Sequence, residues 1–480
     1  MLHEKISLRE QTVERPSQSF WNSCIQGNGR YAYAPIIFVL VTMFVGASWQ
    51  FFWIYNDAAR YQCDVMTFWF GGSAQSLLPS HQCWFLPEAT KHIAAFHLLP
   101  QEYPPLTLAP FSLALLAPVH YYQVAFALLM VLVAVLIYTL LLKQGPAKSA
   151  FYFALYLFIG AWGTALGRFD LLPASLTLLA IILAGKGHWT WGYVLIALAT
   201  LLKIYPILLF PIFFIAEQRS DGRLPLPGKL RLQTLPGELK RLLTSIPRWH
   251  WLNTLIFFVL LLGITGLFAL IDFKGAVLSQ INYFAQRPIQ IESTGSIIMW
   301  IGKAFGLYTT VTYTFGSINV NNSLKNIVAQ VSEIFFLLGV LAIIIQQWRG
   351  KLNMLQGSIA IILVFIATGK VFSPQYLIWL IPLLVYAGGY SRPWLLLWGA
   401  ISLLTSIIYP FLYAITLNGT EVAGTPGFLP SVILRDTLFV TLTIAYLLNW
   451  FHLRQNQSDL LPAEEKLALP EEKEVHPGKA

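Results

Sequence analysis

The sequence predicts an all-α fold, a polytopic membrane helical bundle of about 12 transmembrane helices with helical outer loops. Three observations carry this. Of 480 residues, 56% are hydrophobic and only 11% are charged, against roughly 25% charged in a soluble domain. A water-facing surface cannot be built from so few charges. The mean hydropathy is +0.62, and apolar runs recur along nearly the whole chain between short polar breaks. Those runs are dense in Leu, Ile, Phe and Val without alternation, whereas the strands of a membrane barrel alternate over about 10 residues.

Taken in order, the chain starts with a polar tail over 1–33 carrying Lys5, Arg9, Arg15 and Arg30. It reads as cytoplasmic, with no cleavable signal peptide. A membrane domain follows over 34–453. Its apolar segments are 34–55, 121–142, 149–166, 170–185, 189–203, 204–216, 251–272, 326–347, 354–369, 374–388, 393–413 and 432–453. Segments 170–185 and 204–216 are short for a crossing and carry Pro173, Pro206 and Pro211, which fits broken helices. Two outer loops are long, 56–120 and 273–325, and loops of that length are usually functional. Each contains a short apolar piece, 106–118 and 296–307, suited to a helix lying in the interface. The loop 217–250 is basic and reads as cytoplasmic. The tail 454–480 is polar, rich in Glu and Pro, and reads as disordered and cytoplasmic.

The net charge of +9 does not signal nucleic acid, because the basic residues sit beside membrane segments rather than on one soluble face. Twelve crossings from a cytoplasmic start return the C-terminus to the cytoplasm. Of the 31 Lys and Arg, 21 then fall on the cytoplasmic side, in keeping with the positive-inside rule. The other ten, Arg60, Lys91, Arg168, Lys203, Lys274, Arg287, Lys303, Lys325, Lys370 and Arg435, lie outside or near outer helix ends.

Charges beside a bilayer are expensive and ask for a reason. Four compact patches abut apolar helix on the predicted outer side: Gly167-Arg168-Phe169-Asp170, Leu202-Lys203-Ile204-Tyr205-Pro206, the stretch 287–293 with Arg287, Gln290 and Glu292, and 369–375 with Lys370 and Gln375. Asp64 and Glu102 reach the same side. Singly these suit loop-to-helix salt bridges; as a set they suit a cavity. Arg and Lys would hold phosphate oxygens, and a carboxylate would act as general base. Walker A, HExxH, GxSxG and DxD sequences are missing, so a soluble nucleotide-sugar donor held through a metal has no motif here. No metal ligands or cofactor are expected.

The patches resemble glycosyltransferase family 87. Asp64 soon after the first helix, then Glu102-Tyr103-Pro104-Pro105-Leu106, is similar to that family's first loop. Gly167 to Pro173 and Leu202 to Pro206 are similar to its middle helices, and RPIQIES at 287–293 and FSPQYLIWLIPLL at 372–384 resemble one bacterial branch. The resemblance covers 55–390 and implies the C-type membrane glycosyltransferase fold. It further implies a polyprenyl-phosphate-sugar donor, mannose as the sugar, and a catalytic acid just outside the first helix. Asp64 is the residue that matches, with Asp57 as the neighbouring alternative. The reading is a transfer to an acceptor hydroxyl on a lipid or glycan, outside the cytoplasm, with inversion. The phosphate would meet Lys203, Arg287, Lys370 and Arg168, while Glu102, Asp170, Gln290, Glu292 and Gln375 complete the substrate-binding set. A transporter or flippase for a lipid-linked or anionic solute is the alternative, since broken helices and membrane-level charges suit it too.

Cys63 and Cys83 share the first outer loop, and the topology places no other cysteine outside. A disulfide between them is expected where the compartment is oxidising.

Overall fold

The computed structural model describes residues 16–225, 235–416, 419–448 and 450. The tail expected to be disordered, 454–480, lies outside them, as do Lys5, Arg9 and Arg15 of the N-terminal tail and part of the basic loop 217–250.

A short helix α1 (Pro16–Gln26) precedes α2 (Ala34–Gly46), which starts with Pro35 in its first turn, where a missing N–H costs nothing. The first apolar segment was expected to run to residue 55. It stops at Gly46 and continues as a single tight turn over Ser48–Gln50. In the first long loop, α3 (Asp57–Phe70) is capped by Asn56, whose Oδ1 accepts from the Ala59 amide at 2.7 Å. α4 (Leu108–Leu113) is the middle of an apolar helical stretch, Pro105–Leu116, close to the expected piece 106–118.

Next come α5 (Tyr122–Gln144), α6 (Ser149–Gly160), α7 (Leu171–Gly185), α8 (Trp189–Leu202) and α9 (Phe210–Ser220). α10 (Leu235–Ser245) lies in the basic loop before α11 (Leu252–Ile271). The second long loop holds α12 (Ser279–Gln286), α13 (Thr294–Ala304) and a feature the sequence reading did not anticipate, an antiparallel hairpin of β1 (Thr310–Thr314) and β2 (Ser317–Asn321). Its β-branched residues and the Phe315-Gly316 turn are ordinary hairpin chemistry. The chain ends with α14 (Lys325–Trp348), α15 (Met354–Thr368), α16 (Tyr376–Tyr386), α17 (Arg392–Ser406) and α18 (Phe428–Leu447).

The protein is an all-helical membrane protein, with this hairpin as its sheet among the described residues. Among the described residues, six helical stretches are long and apolar enough to cross a membrane: Gly29–Gly46, Val119–Gln144, Leu252–Ile271, Lys325–Trp348, Arg392–Leu412 and Phe428–Leu447. Twenty residues of helix rise about 30 Å, the thickness of the hydrocarbon core. The other six expected segments correspond to α6, α7, α8, α9, α15 and α16, which run 11 to 15 residues. At roughly 17–23 Å each they fall short of that thickness alone.

The short helices form the interior. α15 and α16 are buried on nearly every side, as a helix apolar all round must be. Around them, α7 packs on α8, α8 on α11, α14 on α15, α17 on α18, and α6 against both α16 and α17. α11 and α14 leave residues such as Leu262, Leu270 and Leu337 exposed, which lipid tails tolerate as readily as protein does. Where the short helices end, side chains from the two long loops meet over the bundle.

Cys63 on α3 is bonded to Cys83, with Cα atoms 5.6 Å apart. The closed loop spans 20 residues, a constraint on the unfolded chain that is valued at about 3 kcal/mol. Reduction, or the Cys83→Ser substitution, should lower the melting midpoint of the detergent-solubilised protein by several degrees. Identical melting with and without reductant, with both thiols labelled in the unreduced protein, would remove this bond.

Candidate active site

Asn56 places Asp57 in the first turn of α3, where the helix dipole favours a carboxylate. From there a line of alternating charges runs along one wall of a cavity. Asp57 Oδ2 accepts from Arg168 Nε at 2.6 Å. Its other oxygen, Oδ1, has Arg60 Nη1 only at 3.9 Å, beyond hydrogen-bond reach. Arg60 instead binds Glu102, Nη2 to Oε1 at 2.5 Å, and lies over the Phe85 ring. Arg168 also donates to Ser373 Oγ at 3.3 Å and approaches the Tyr409 ring. Thus segments near residues 57, 102, 168 and 373, far apart in sequence, are joined by charge.

Lys203, just past α8, also lines the cavity. Its ammonium contacts Asp170 Oδ1 and lies near the Phe169 and Trp379 rings, at 4.8 and 5.3 Å. Trp379 Nε1 donates to the same Asp170 oxygen at 2.6 Å. Beyond it stands Arg287, stacked on Tyr283 at 4.7 Å. Arg60, Arg168 and Lys203 each have a carboxylate partner, and among the described residues Arg287 has none within ion-pair distance. It is the cation of this cavity left to meet an anion.

The stretch 287–293 closes another side. The Gln290 amide donates to the Lys370 carbonyl, and Gln290 Oε1 accepts from the Phe372 amide, both at 2.9 Å. Ile289 and Ile291 bond to Val320 and Ile318 of β2, so this stretch continues the hairpin's edge. Glu292 accepts from the Tyr413 hydroxyl at 2.6 Å and from Arg435 Nη1 at 3.0 Å. Gln375 bonds Ser373. The hairpin tip covers the wall: Phe315 and Gly316 have φ of 53° and 65°, and a Cβ on Gly316 would stand 2.7 Å from Glu102 Oε2. Only glycine permits both the turn and the approach.

The cavity so formed measures about 730 Å³. Asp57, Arg60, Glu102, Arg168, Lys203, Arg287, Gln290, Glu292 and Gln375 line it, with Tyr283, Tyr376, Tyr409 and Tyr413. Its lining also includes the apolar side chains of Ile207, Leu208, Phe284, Phe336 and Phe365.

Three expected residues stand elsewhere. Asp64 does not reach the cavity wall. Seven residues after Asp57, it lies on the same face of α3 but about 10 Å further along, buried below Arg60. Lys370 contributes its carbonyl to Gln290, while its ammonium turns away to Glu333 at 2.8 Å. Asp170 is buried behind Lys203 rather than on the wall. The sequence reading did not include Arg60 or the tyrosines in the site. Arg60, three residues from Asp57 on one helix, was the readable signal.

Burial, chiefly, pushes the Asp64 carboxyl up to about 8; the Glu102 charge adds to this and Arg60 opposes it. A raised carboxyl pKa favours the folded state below the unfolded value near 3.8, and that contribution is lost as pH rises through about 8. Between those limits the Asp64→Asn variant should therefore lose less melting temperature with rising pH than the unaltered protein. Parallel pH profiles for the two would show that Asp64 is not a buried neutral acid.

No curated protein matches the chain. Residues 102–224 match the family model for glycosyltransferase family 87. This stretch begins at Glu102 and includes Arg168, Asp170 and Lys203. The match thus covers the part of the cavity lining that holds Glu102, Arg168 and Lys203, and over these residues the chain is similar to glycosyltransferase family 87.

Proposed function

We propose that this cavity transfers a sugar from a polyprenyl-phosphate donor to an acceptor hydroxyl on the extracytoplasmic side, with mannose as the sugar on the strength of the family resemblance. The observation that carries the reading is the cavity's mixed lining. An unneutralised Arg287 and a half-engaged Asp57 line it together with Ile207, Leu208, Phe284, Phe336 and Phe365. A phosphate joined to a long isoprenoid tail has the same two chemistries. The positive-inside bias assigns the loop end to the extracytoplasmic face.

In this reading the donor phosphate lies against Arg287, with Lys203 next to it. Asp57 replaces Asp64 as the base. Arg168 fixes one of its oxygens and so aims Oδ1, with its lone pairs available, at the acceptor. Oδ1 takes the hydroxyl proton as the hydroxyl oxygen attacks the anomeric carbon. The bond from that carbon to the phosphate oxygen breaks on the far side, its electron pair leaves with polyprenyl phosphate, and the configuration inverts. Arg287 and Lys203 meet the charge that gathers on the leaving phosphate, the kind of pre-aimed stabilisation that dominates such steps. Glu102 remains as an acceptor for sugar hydroxyls, while Glu292 has both oxygens engaged in the wall.

The test is transfer of radiolabelled sugar from polyprenyl-phosphate-mannose, by purified protein, to total membrane lipid and glycan. Asp57→Asn should lower turnover by about 10²–10⁴, the span of a lost general base, while Asp64→Asn retains most of it. A dead Asp64→Asn beside an active Asp57→Asn would return the base to the inner position on α3. Arg287→Ala should cost about 1.5–3 kcal/mol of donor binding, the worth of a hydrogen bond to a charged group, seen as a raised donor KM. If the wild-type protein moves labelled lipid across vesicles without cleaving it, the cavity belongs to a flippase instead.

A further inference from the structure

A fully buried arginine in a helix that otherwise faces lipid and protein is costly, and it persists where something depends on it. Arg435 of α18 is such a residue: none of it is exposed and it does not line the cavity. Its three donor groups are all engaged. Nη1 donates to Glu292 Oε2 at 3.0 Å, Nη2 to the Glu292 carbonyl at 2.6 Å, and Nε to Asp436 Oδ1 at 2.9 Å. The guanidinium also lies 3.9 Å from the centre of the Phe372 ring.

Apart from the bond to Asp436 of the same helix, those contacts fall on the two stretches that form one side of the cavity. Glu292 belongs to 287–293, which also carries Arg287 and Gln290. Phe372 belongs to 369–375, which carries Ser373 and Gln375. The stretches are themselves joined through Gln290 to Lys370 and Phe372. A helix-packing role alone would need only an apolar side chain. The fork geometry of arginine, which grips a side-chain oxygen and a backbone oxygen of the same residue, suits the fixing of one residue's position.

We propose that Arg435 is a positioning residue of the active site: through Glu292 it holds the stretch that presents Arg287 and Gln290 to the substrate. The proposal rests on the glycosyltransferase reading of the cavity only for its kinetic consequence. The Glu292 carboxylate, held by Arg435 on one oxygen and Tyr413 on the other, is fixed in the wall, and Arg287 four to five residues of backbone away is carried with it. Arg435 touches no reacting atom.

The experiment uses full-length protein in detergent with Arg435→Lys, which keeps the charge but cannot reach both Glu292 oxygens and Asp436 at once. Hydrogen exchange over 287–293 and 369–375 should rise several-fold while the melting midpoint changes little. Donor kcat/KM should fall by roughly tenfold to a hundredfold, the size of loss that an ångström of misplacement causes. Because the effect passes through Glu292, the Arg435→Lys/Glu292→Gln double variant should lose little more than Glu292→Gln alone. Unchanged exchange in both stretches, donor kinetics within twofold of the parent, or additive losses in the double variant would each overturn the proposal. If the parent protein transfers no sugar, the functional reading fails, and binding of undecaprenyl phosphate then decides the positioning claim: weaker binding to Arg435→Lys supports it and equal binding overturns it. Should Arg435→Lys not fold, Arg435→Gln/Asp436→Asn removes one charge of each sign and is read the same way.

Discussion

A charge buried among apolar helices must find its partner within the protein, because no water stands ready to serve it. The architecture of this cavity follows from that constraint. Asp57 is joined to Arg168, Arg60 to Glu102, Asp170 to Lys203 and Glu292 to Arg435. Each pair links segments that are 33 to 143 residues apart or of similar remoteness. The ion pairs therefore act as stitches between the first long loop, the ends of the short helices, the second long loop and α18. Removing one partner leaves the other buried and alone, so the stitches hold the walls in one arrangement.

The cavity itself is a consequence of unequal helix lengths. α7, α8, α15 and α16 are too short to match α11 and α14, and the space beyond their ends is roofed by loop and hairpin. Its apolar lining comes from Ile207 and Leu208 just before α9, Phe284 of α12, Phe336 of α14 and Phe365 of α15. Other parts of the lining come from chain that has left helix and can present polar groups. A cavity built in this way is amphiphilic without any special device. Irregular backbone is tolerated at such a depth where it lines a cavity and finds hydrogen bonds there, as the stretch 287–293 does against β2 and Lys370.

Arg287 and Asp57 stand out within this network for what they lack. Among the described residues Arg287 has a tyrosine ring and no carboxylate partner, and Asp57, paired with Arg168, keeps one oxygen beyond the reach of Arg60. An unspent cation and an unspent lone pair in one cavity are the two features that the proposed transfer calls for. The tyrosines around them, Tyr283, Tyr376, Tyr409 and Tyr413, supply ring faces for the cations and hydroxyls for substrate or wall.

By itself the sequence determined the helical membrane class, since composition and unbroken apolar runs are sums over the chain and need no tertiary contact. It also marked the patches around Arg168, Lys203, Arg287 and Gln375, because charge beside an apolar helix is visible in one dimension. The hairpin at 310–321 escaped because five-residue strands leave little periodic signal beside a helix-rich background. Which of Asp57 and Asp64 lines the cavity lay with the tertiary structure: both share one face of α3, and only Asp57 is among the lining residues. Lys370 likewise sits in the right patch with its head turned to Glu333. Arg435 is 143 residues from Glu292, and nothing in linear order pairs them. Which charges face one another, and which are left over, depends on three-dimensional distance, and only the folded chain decides it.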